Sequence, residues 1–407
     1  MGQGGGNSTA NDVNPSTSSH GARVTFAVIS DMHCRLAKDP TDSSLEVGSA
    51  RIPQADHPVQ ALLDLIEKRG IRADALLIPG DLTNRASREG LSQAWDFALE
   101  IGAALRCKRT IPVLGNHDID SQRSVPEREP FYNARNLRPG FPFREPSAVQ
   151  GFFSDGFCVL DVGRDTQIVA INTVIDHHDE ESAKRGTFDH SRIVRLAQVL
   201  HEFKRTAIRV ALMHHHPVLH SGPFKPDRDV LATGDALLQV LREHGCALII
   251  HGHKHLARLT VVNGTPVLAC GSFSANLGIY ASSMANMFHL IDLEHANGSI
   301  RGRIETWVFH YSLGWGRANP EHSGFPHLTG FGSLRTVQEI ETELAQLATA
   351  NAAADRLSAA QVAAASPELV HLTPSELATL ASGLEARALH LREDDAGCLE
   401  LWRKVTG

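Results

Sequence analysis

Five times along this chain of 407 residues, a short β-rich run stops at side chains of the kind that bind metal ions. Val24–Ser30 runs into Asp31-Met32-His33, Ala75–Ile78 into Gly80-Asp81, and Ile111–Leu114 into Gly115-Asn116-His117-Asp118. Further on, Ile208–Met213 runs into His214-His215-His216-Pro217 and Ala247–Ile250 into His251-Gly252-His253-Lys254-His255. Helical patterns lie between them. Pro58 opens one, with Val59, Leu62, Leu63 and Ile66 at helical spacing and Gly70 as its stop; others cover Leu91–Leu105, His190–Phe203 and Asp235–His244. Alternating strands and helices predict an α/β layered domain, whose strands open at their carboxyl ends onto one crevice. Side chains up to 224 positions apart then converge.

The spacing supports convergence. In Asp31-x-His33 and His253-x-His255 the paired residues stand at i and i+2, which project the same way if extended. Carboxylate, amide and imidazole donors together suit Mn, Fe, Zn or Ni better than an all-oxygen Mg or Ca cage. Seven candidate ligands, Asp31, His33, Asp81, Asn116, His215, His253 and His255, are more than one ion needs. Two ions about 3.5–4 Å apart, sharing a carboxylate, form the arrangement used for in-line attack at phosphorus, and Asp81 is the expected bridge. The neighbours get plainer readings: His214 a strand-end contact, His216 a contact to substrate or ligands, His251 structural, Cys34 a buried thiol. His177–Glu181 reads as a solvated polar loop, and Arg85, Arg123 and Lys254 as phosphate contacts or surface charges.

Charge narrows the substrate. Lys and Arg number 39 against 46 Asp and Glu, so the net charge of -7 leaves no positive excess to grip long nucleic acid by counterion release. Apolar runs fall short of a bilayer span, so membrane insertion is not expected. Six scattered cysteines without a metal-knuckle or redox spacing fit a reduced, cytoplasmic setting. The Gly-, Asn- and Ser-rich stretch 1–21 reads as a disordered leader, followed by a main domain over 22–312. Within it, 119–156 reads as an active-site or surface excursion, while Asn263-Gly264 and Asn297-Gly298 predict hairpins of a second sheet. A linker is expected over 313–333. Residues 334–407 read as an acidic helical region, with 6 basic against 11 acidic residues from Phe331 onward. Thr336–Glu339 and Thr373–Glu376 are readable as capping boxes. Leu377, Leu380, Leu384 and Leu391 stand at roughly helical spacing, a face for packing on the main domain, on a second copy in a homo-oligomer or on a protein partner.

Taken in order, Asp31-x-His33, Gly80-Asp81, Gly115-Asn116-His117-Asp118, a His two residues before Pro217 and Gly252-His253-x-His255 resemble the whole motif series of calcineurin-like metallophosphoesterases. The resemblance covers roughly Val24 to His310. Gly80-Asp81-Leu82-Thr83-Asn84 and the His-His-Pro run look most like the bacterial cyclic nucleotide and glycerophosphodiester phosphodiesterases. The resemblance implies a four-layer αββα sandwich, two mixed sheets flanked by helices, with the C-terminal helical region as an extension. It implies two divalent or mixed-valence ions, one held by Asp31, His33, Asp81 and His255, the other by Asp81, Asn116, His215 and His253. It further implies a phosphoester substrate, most simply a phosphodiester attacked by an ion-bound hydroxide. Asn116 would then position the phosphoryl group and His117 would act as the acid on the leaving oxygen. Relatives often orient that histidine with an Asp where this chain has Asn84. A nuclease, a phosphomonoesterase and a non-catalytic scaffold are the alternative readings on the same fold.

Overall fold

The computed structural model describes residues 21–403 apart from 39–42, 122–123, 126, 139, 178, 204–205, 220–228, 276–284 and 395–396. Residues 1–20, Arg123 and His178 therefore lie outside the described residues. Among the described residues, thirteen strands make two large sheets: β1 (Arg23–Val28), β2 (Ala75–Ile78), β3 (Arg109–Pro112), β4 (Phe157–Asp161), β5 (Thr166–Ile171), β6 (Ile208–Leu212), β7 (Cys246–His251), β8 (Arg258–Val262), β9 (Thr265–Ala269), β10 (Met287–Ala296), β11 (Ser299–His310), β12 (Gly314–Arg317) and β13 (Leu328–Phe331). The first sheet runs β12-β11-β10-β1-β2-β3, with β13 also on β11; the second runs β4-β5-β6-β7-β9-β8. In the second sheet a parallel centre carries antiparallel flanks, whereas in the first the parallel strands β1, β2 and β3 form one side and the antiparallel strands the other.

The second sheet shows why the strands read as continuous apolar runs, since both of its faces are covered. Ile168, Ala170, Val210, Leu212, Leu248, Ile250 and Leu268 belong to the core shared with the first sheet. Their alternate neighbours Val169, Ile171, Ala211, Met213, Ile249 and Val267 pack outward with Ile193, Leu196, Leu200, Leu237 and Leu241 of the helices His190–Glu202 and Gly234–Glu243. Outside the first sheet, Val59, Leu62, Ile66, Ala94, Trp95 and Ile101 of the helices Pro58–Arg69 and Arg88–Ala104 are buried in the same manner. Two sheets between two helical layers form the expected αββα sandwich.

Several expectations are corrected. The hairpins at Asn263-Gly264 and Asn297-Gly298 form, with positive φ at both residues of each turn. They build no separate sheet: β8 and β9 extend the second sheet, while β10 and β11 join β1 in the first. Residues 313–333 are not a linker, because β12 and β13 both pair with β11. The excursion 119–156 contains the helices Tyr132–Arg135 and Pro146–Ser154, and its Phe131, Phe141, Phe143, Phe152 and Phe153 are buried in the main core. Apolar side chains there anchor the segment although no period announces it.

The C-terminal region is not wholly helical. Both capping boxes form, at the helices Val337–Ala350 and Pro374–Glu385, but a three-stranded antiparallel sheet of β14 (Arg356–Leu357), β15 (Leu389–Glu393) and β16 (Leu399–Arg403) packs with them. Leu391 therefore lies in a strand, whereas Leu380 and Leu384 enter a hydrophobic cluster with Ile340, Leu344, Leu357, Leu389 and Leu401. The region is fastened to the first sheet: Gly330 N–H donates to Leu372 C=O at 3.1 Å, and Arg301 is paired with Glu368. Leu380 is fully buried in the small cluster, so Leu380→Ala should destabilise this region by about 2–5 kcal/mol. Denaturant unfolding followed by Trp402 fluorescence measures that loss, and the expected outcome is an early transition of the C-terminal region with the main transition retained.

Candidate metal centre

The strands stop short of the site residues, and the backbone turns sharply there. Asp31, His33, Asp81, His253 and His255 have φ of 52°, 48°, 52°, 78° and 58°, all in the left-handed region. Each costs a non-glycine residue on the order of 1–2 kcal/mol. Hydrogen bonds that prolong the parallel pairing hold them: Asp31 N–H to Gly80 C=O at 3.1 Å, His33 N–H to Asp81 C=O at 2.9 Å and Gly252 N–H to His214 C=O at 3.1 Å. The i, i+2 pairs thus converge through paired left-handed turns rather than through extended backbone. Glycine fits two of the closest approaches. A Cβ on Gly115 would stand 2.1 Å from Asp81 Oδ1, and one on Gly252 would stand 2.6 Å from Asp31 Oδ2.

Asp81 is buried at the centre. Its Oδ2 lies 3.6 Å from His33 Nε2 on one side and 3.3 Å from His214 Nε2 on the other, while Oδ1 accepts the His117 N–H at 2.8 Å. On the first side, His33 Nε2 and His255 Nε2 are 3.1 Å apart, and His255 Nε2 is 3.4 Å from Asp31 Oδ1. On the second, Asn116 Oδ1 lies 3.1 Å from both His214 Nε2 and His253 Nδ1, and those two nitrogens are 3.2 Å apart. His214 Nδ1 faces Pro79 C=O at 2.8 Å and His253 Nε2 faces Lys184 C=O at 2.9 Å. A carbonyl only accepts, so the ring protons sit on those outer nitrogens and the inner ones turn toward the carboxylates and the amide.

Electrostatics follow from this crowding. Burial pushes Asp81 upward, but His214 and His117 beside it bring the carboxyl well below its usual range. Asp31 is pushed up by burial and brought below its usual range chiefly by His255. Burial, reinforced by His117, lowers His33 to about 3; burial and His215 hold His253 far below the ordinary imidazole value. His214 goes the other way: burial lowers it, but Asp81 and then Asp31 outweigh burial and raise it to about 9, and Asp31 likewise raises His255 against the effect of burial. The carboxylates and the lowered imidazoles are in the states that metal ligation requires, while His214 and His255 would release a proton as a cation takes over their pairing with Asp81 and Asp31. Donor atoms of His214, His215 and His253, of Asp31, His33 and His255, of His33, Asp81 and His117, and of Asp31, Asp81 and His214 lie within 4.8 Å of one another as groups. These residues fit a pair of cations.

The structure brings the seven expected ligands to one place: Asp31, His33, Asp81, Asn116, His253 and His255 face one another, and a ring nitrogen of His215 lies within 4.8 Å of those of His214 and His253. Both ring nitrogens of His215 also have other partners. Its Nδ1 meets Thr173 Oγ1 at 2.9 Å and its Nε2 meets Ala183 C=O at 2.9 Å, and His214 stands at the centre instead. Strand parity explains the exchange. Val210 and Leu212 face the shared core, so His214 continues inward, whereas His215 follows Ala211 and Met213 outward.

His117 lies beside the centre, its Nδ1 3.0 Å from the side-chain oxygen of buried Asn84, as expected for an orienting amide. Asp118, which the motif contained without an assigned part, is fully buried and accepts Thr83 N–H and Gly115 N–H, both at 2.9 Å, tying two site loops together. Burial, then the charge of Asp81, raises Asp118 to about 8. Lys254 pairs with Asp229 at 2.5 Å, Cys34 is buried and raised to about 12 by burial, and all six cysteines are free thiols. The stretch His177–Glu181 is no simple solvated loop, since His177 is buried and Asp179 caps the helix Glu180–Arg185.

A two-sheet sandwich with clustered Asp, His and Asn at its strand ends defines a metal-dependent hydrolase scaffold. The sequence profile described as calcineurin-like phosphoesterase matches residues 24–257, and the chain belongs to that family, whose members bind dinuclear metal centres and typically hydrolyse phosphoesters. Similar folds occur in purple acid phosphatase PPD1 from yellow lupin (Lupinus luteus) seeds, at 14% identity over 71% of this chain and 52% of that one, TM-score 0.46. A putative 5'-nucleotidase from Staphylococcus aureus shares 18% identity over 67% of this chain and 51% of that one, TM-score 0.40. The zinc complex of Vps29 from Entamoeba histolytica shares 18% identity over 72% and 98%, TM-score 0.33. The chain thus spans about half the length of the first two. No curated protein matches the sequence. No helix among the described residues is long and apolar enough to cross a membrane.

Gly115→Ala should push Asp81 out of place, because the clash is with backbone as well as carboxylate: Asp81 N would lie 2.6 Å from the new Cβ. Elemental analysis after desalting is expected to show loss of bound metal in a protein that keeps its far-ultraviolet circular dichroism.

Proposed function

We propose that this chain hydrolyses phosphodiesters of small-molecule or cyclic-nucleotide size at a two-ion centre. The observation that carries this reading is the position of Asp81 Oδ2, between His33 Nε2 at 3.6 Å and His214 Nε2 at 3.3 Å. Asp31, His33, Asp81 and His255 would hold one ion; Asp81, Asn116, His214 and His253 would hold the other, with His214 in the place first assigned to His215. Mn, Fe, Zn and Ni all match the mixed donor set. When bound, such a pair lowers the pKa of water and neutralises charge on phosphoryl oxygens.

The chain's own groups supply the rest. Asn84 Oδ1 accepts from His117 Nδ1–H, so a second proton carried on His117 Nε2 in the imidazolium form is the one delivered to the departing oxygen, and the ring is left neutral. Asn84 orients that ring without adding a counter-charge, so it fixes geometry more than acidity. Asn116 would position the phosphoryl group from the second half of the centre. The net charge of -7 favours a small substrate over long nucleic acid.

The ligand assignment makes four variants behave differently. Asp81→Ala should lose both ions and all turnover; His214→Ala should lose one ion; His215→Ala should weaken the centre without emptying it. His117→Ala should keep both ions yet lose turnover on the order of 10²–10⁴-fold, the usual worth of a general acid. Elemental analysis alongside assays on Mn-loaded protein with bis(p-nitrophenyl) phosphate, p-nitrophenyl phosphate, cyclic nucleotides and linear DNA reads all four. The His117→Ala deficit should shrink when p-nitrophenolate departs, since that leaving group needs no proton. Turnover of p-nitrophenyl phosphate alone would make the chain a phosphomonoesterase, and cleavage of linear DNA alone a nuclease.

A further inference from the structure

The segment between Thr173 and Thr187 is closed at its base. Thr187 N–H donates to Thr173 C=O at 2.7 Å, Asp176 N–H donates to Thr187 Oγ1 at 3.2 Å, and Arg192 pairs with Asp176 at 3.1 Å. Inside it the helix Glu180–Arg185 starts on a capping box, Asp179 accepting the Ser182 N–H, and ends at Gly186 with φ 71°. A helix leaves its last carbonyls without partners along the chain. Here two of them, Ala183 C=O and Lys184 C=O, take imidazole donors from His215 and His253, both at 2.9 Å.

Those carbonyls fix the protons. His215 Nε2 donates to Ala183, so its Nδ1 carries a lone pair and accepts from Thr173 Oγ1, whose oxygen in turn accepts the His215 N–H at 3.2 Å. His253 Nε2 donates to Lys184, so its Nδ1 is bare and aimed at Asn116 and His214. The two rings pack at 4.5 Å between centroids. Gly186 closes the stack: a Cβ there would stand 2.5 Å from the His215 ring.

We propose that Thr173, His215 and the carbonyl end of the helix Glu180–Arg185 are positioning residues for the second half of the metal centre, holding His253 in the ring orientation and tautomer that present Nδ1. This rests on the two-ion reading above and assigns His215 a task one layer behind the ligands. Because the helix carbonyls bond to His215 and His253, on the second half of the centre, disturbing the helix should weaken one ion and spare the other. Partners behind metal ligands commonly contribute 10- to 100-fold in affinity.

The test uses the full chain, stripped of metal and titrated with Mn²⁺ by calorimetry. Thr173→Val and Gly186→Ala should each weaken one Mn²⁺ equivalent, by on the order of tenfold and up to 100-fold respectively, and Thr173→Ser should restore it. Asp179→Ala, which removes the helix cap at a distance from both ions, should give a smaller loss in the same equivalent. Nitrogen-detected imidazole spectra of the metal-free protein should show His215 and His253 neutral and protonated at Nε2, with the His215 pattern altered in Thr173→Val. Folded Thr173→Val and Gly186→Ala proteins that bind both equivalents like wild type overturn the proposal, as does equal weakening of both. Wild-type protein that takes a single Mn²⁺ defeats the two-ion reading instead, and the imidazole spectra then decide the proposal: either ring protonated at Nδ1 overturns it.

Discussion

A buried, ionised carboxylate between two sets of imidazoles is the constraint around which this molecule is organised. Asp81 is 1% exposed, so its charge has to be balanced by neighbours rather than by water. His33 and His214 approach one oxygen, and the His117 backbone N–H takes the other. No single element could deliver these groups. His33 comes from the end of β1, His117 follows β3, and His214 comes from the end of β6 in the other sheet. The site exists because the two sheets end at the same rim, where Ser30 and Ser272 form a parallel bridge between their extensions.

Local cost and global packing are linked there. Five left-handed non-glycine residues in one cluster would not persist in an isolated loop, because each gives up conformational free energy. Here they are over-determined by the ladder bonds that prolong β1 and β2, by Asp118 bridging Thr83 and Gly115, and by the apolar strands beneath. The large shared core supplies rigidity in the form that close-packed side chains always do, by admitting few alternative arrangements. Placement of the donor atoms is therefore a property of the sandwich as a whole.

Much of this was legible in the residues. Short β-rich runs marked the central strands, Gly70 and the capping boxes marked helix ends, and polar residues after each run marked the rim. The errors have physical causes. His214 was passed over beside His215 because adjacent histidines look alike until the inward parity of Val210 and Leu212 is carried one step past the strand. Residues 313–333 looked like a connector because β12 and β13 are four residues each, too short to show alternation. Strands β15 and β16 were hidden in a tail whose alanines and leucines suit helices, and their pairing is a tertiary matter that local propensity does not encode. The helix Glu180–Arg185 read as solvated loop because five of its six residues are polar and its bonds to His215 and His253 run through backbone carbonyls, which every residue has.

The fastening of the C-terminal region at Gly330 bears on how the margin of the first sheet is covered. A sheet that stops without a neighbour offers its free N–H and C=O groups as a template for other chains, and proteins commonly blunt such margins by laying another segment over them. β13 pairs with β11 on one side, and on the other its Gly330 N–H is taken by Leu372 C=O, so a length of irregular backbone occupies the place an intruding strand would seek. Gly330 suits that role, since a Cβ there would lie 2.2 Å from Val370 C=O and would lift the cover away. The acidic terminal region thus covers this margin of the first sheet, at the end of the strands away from the metal centre.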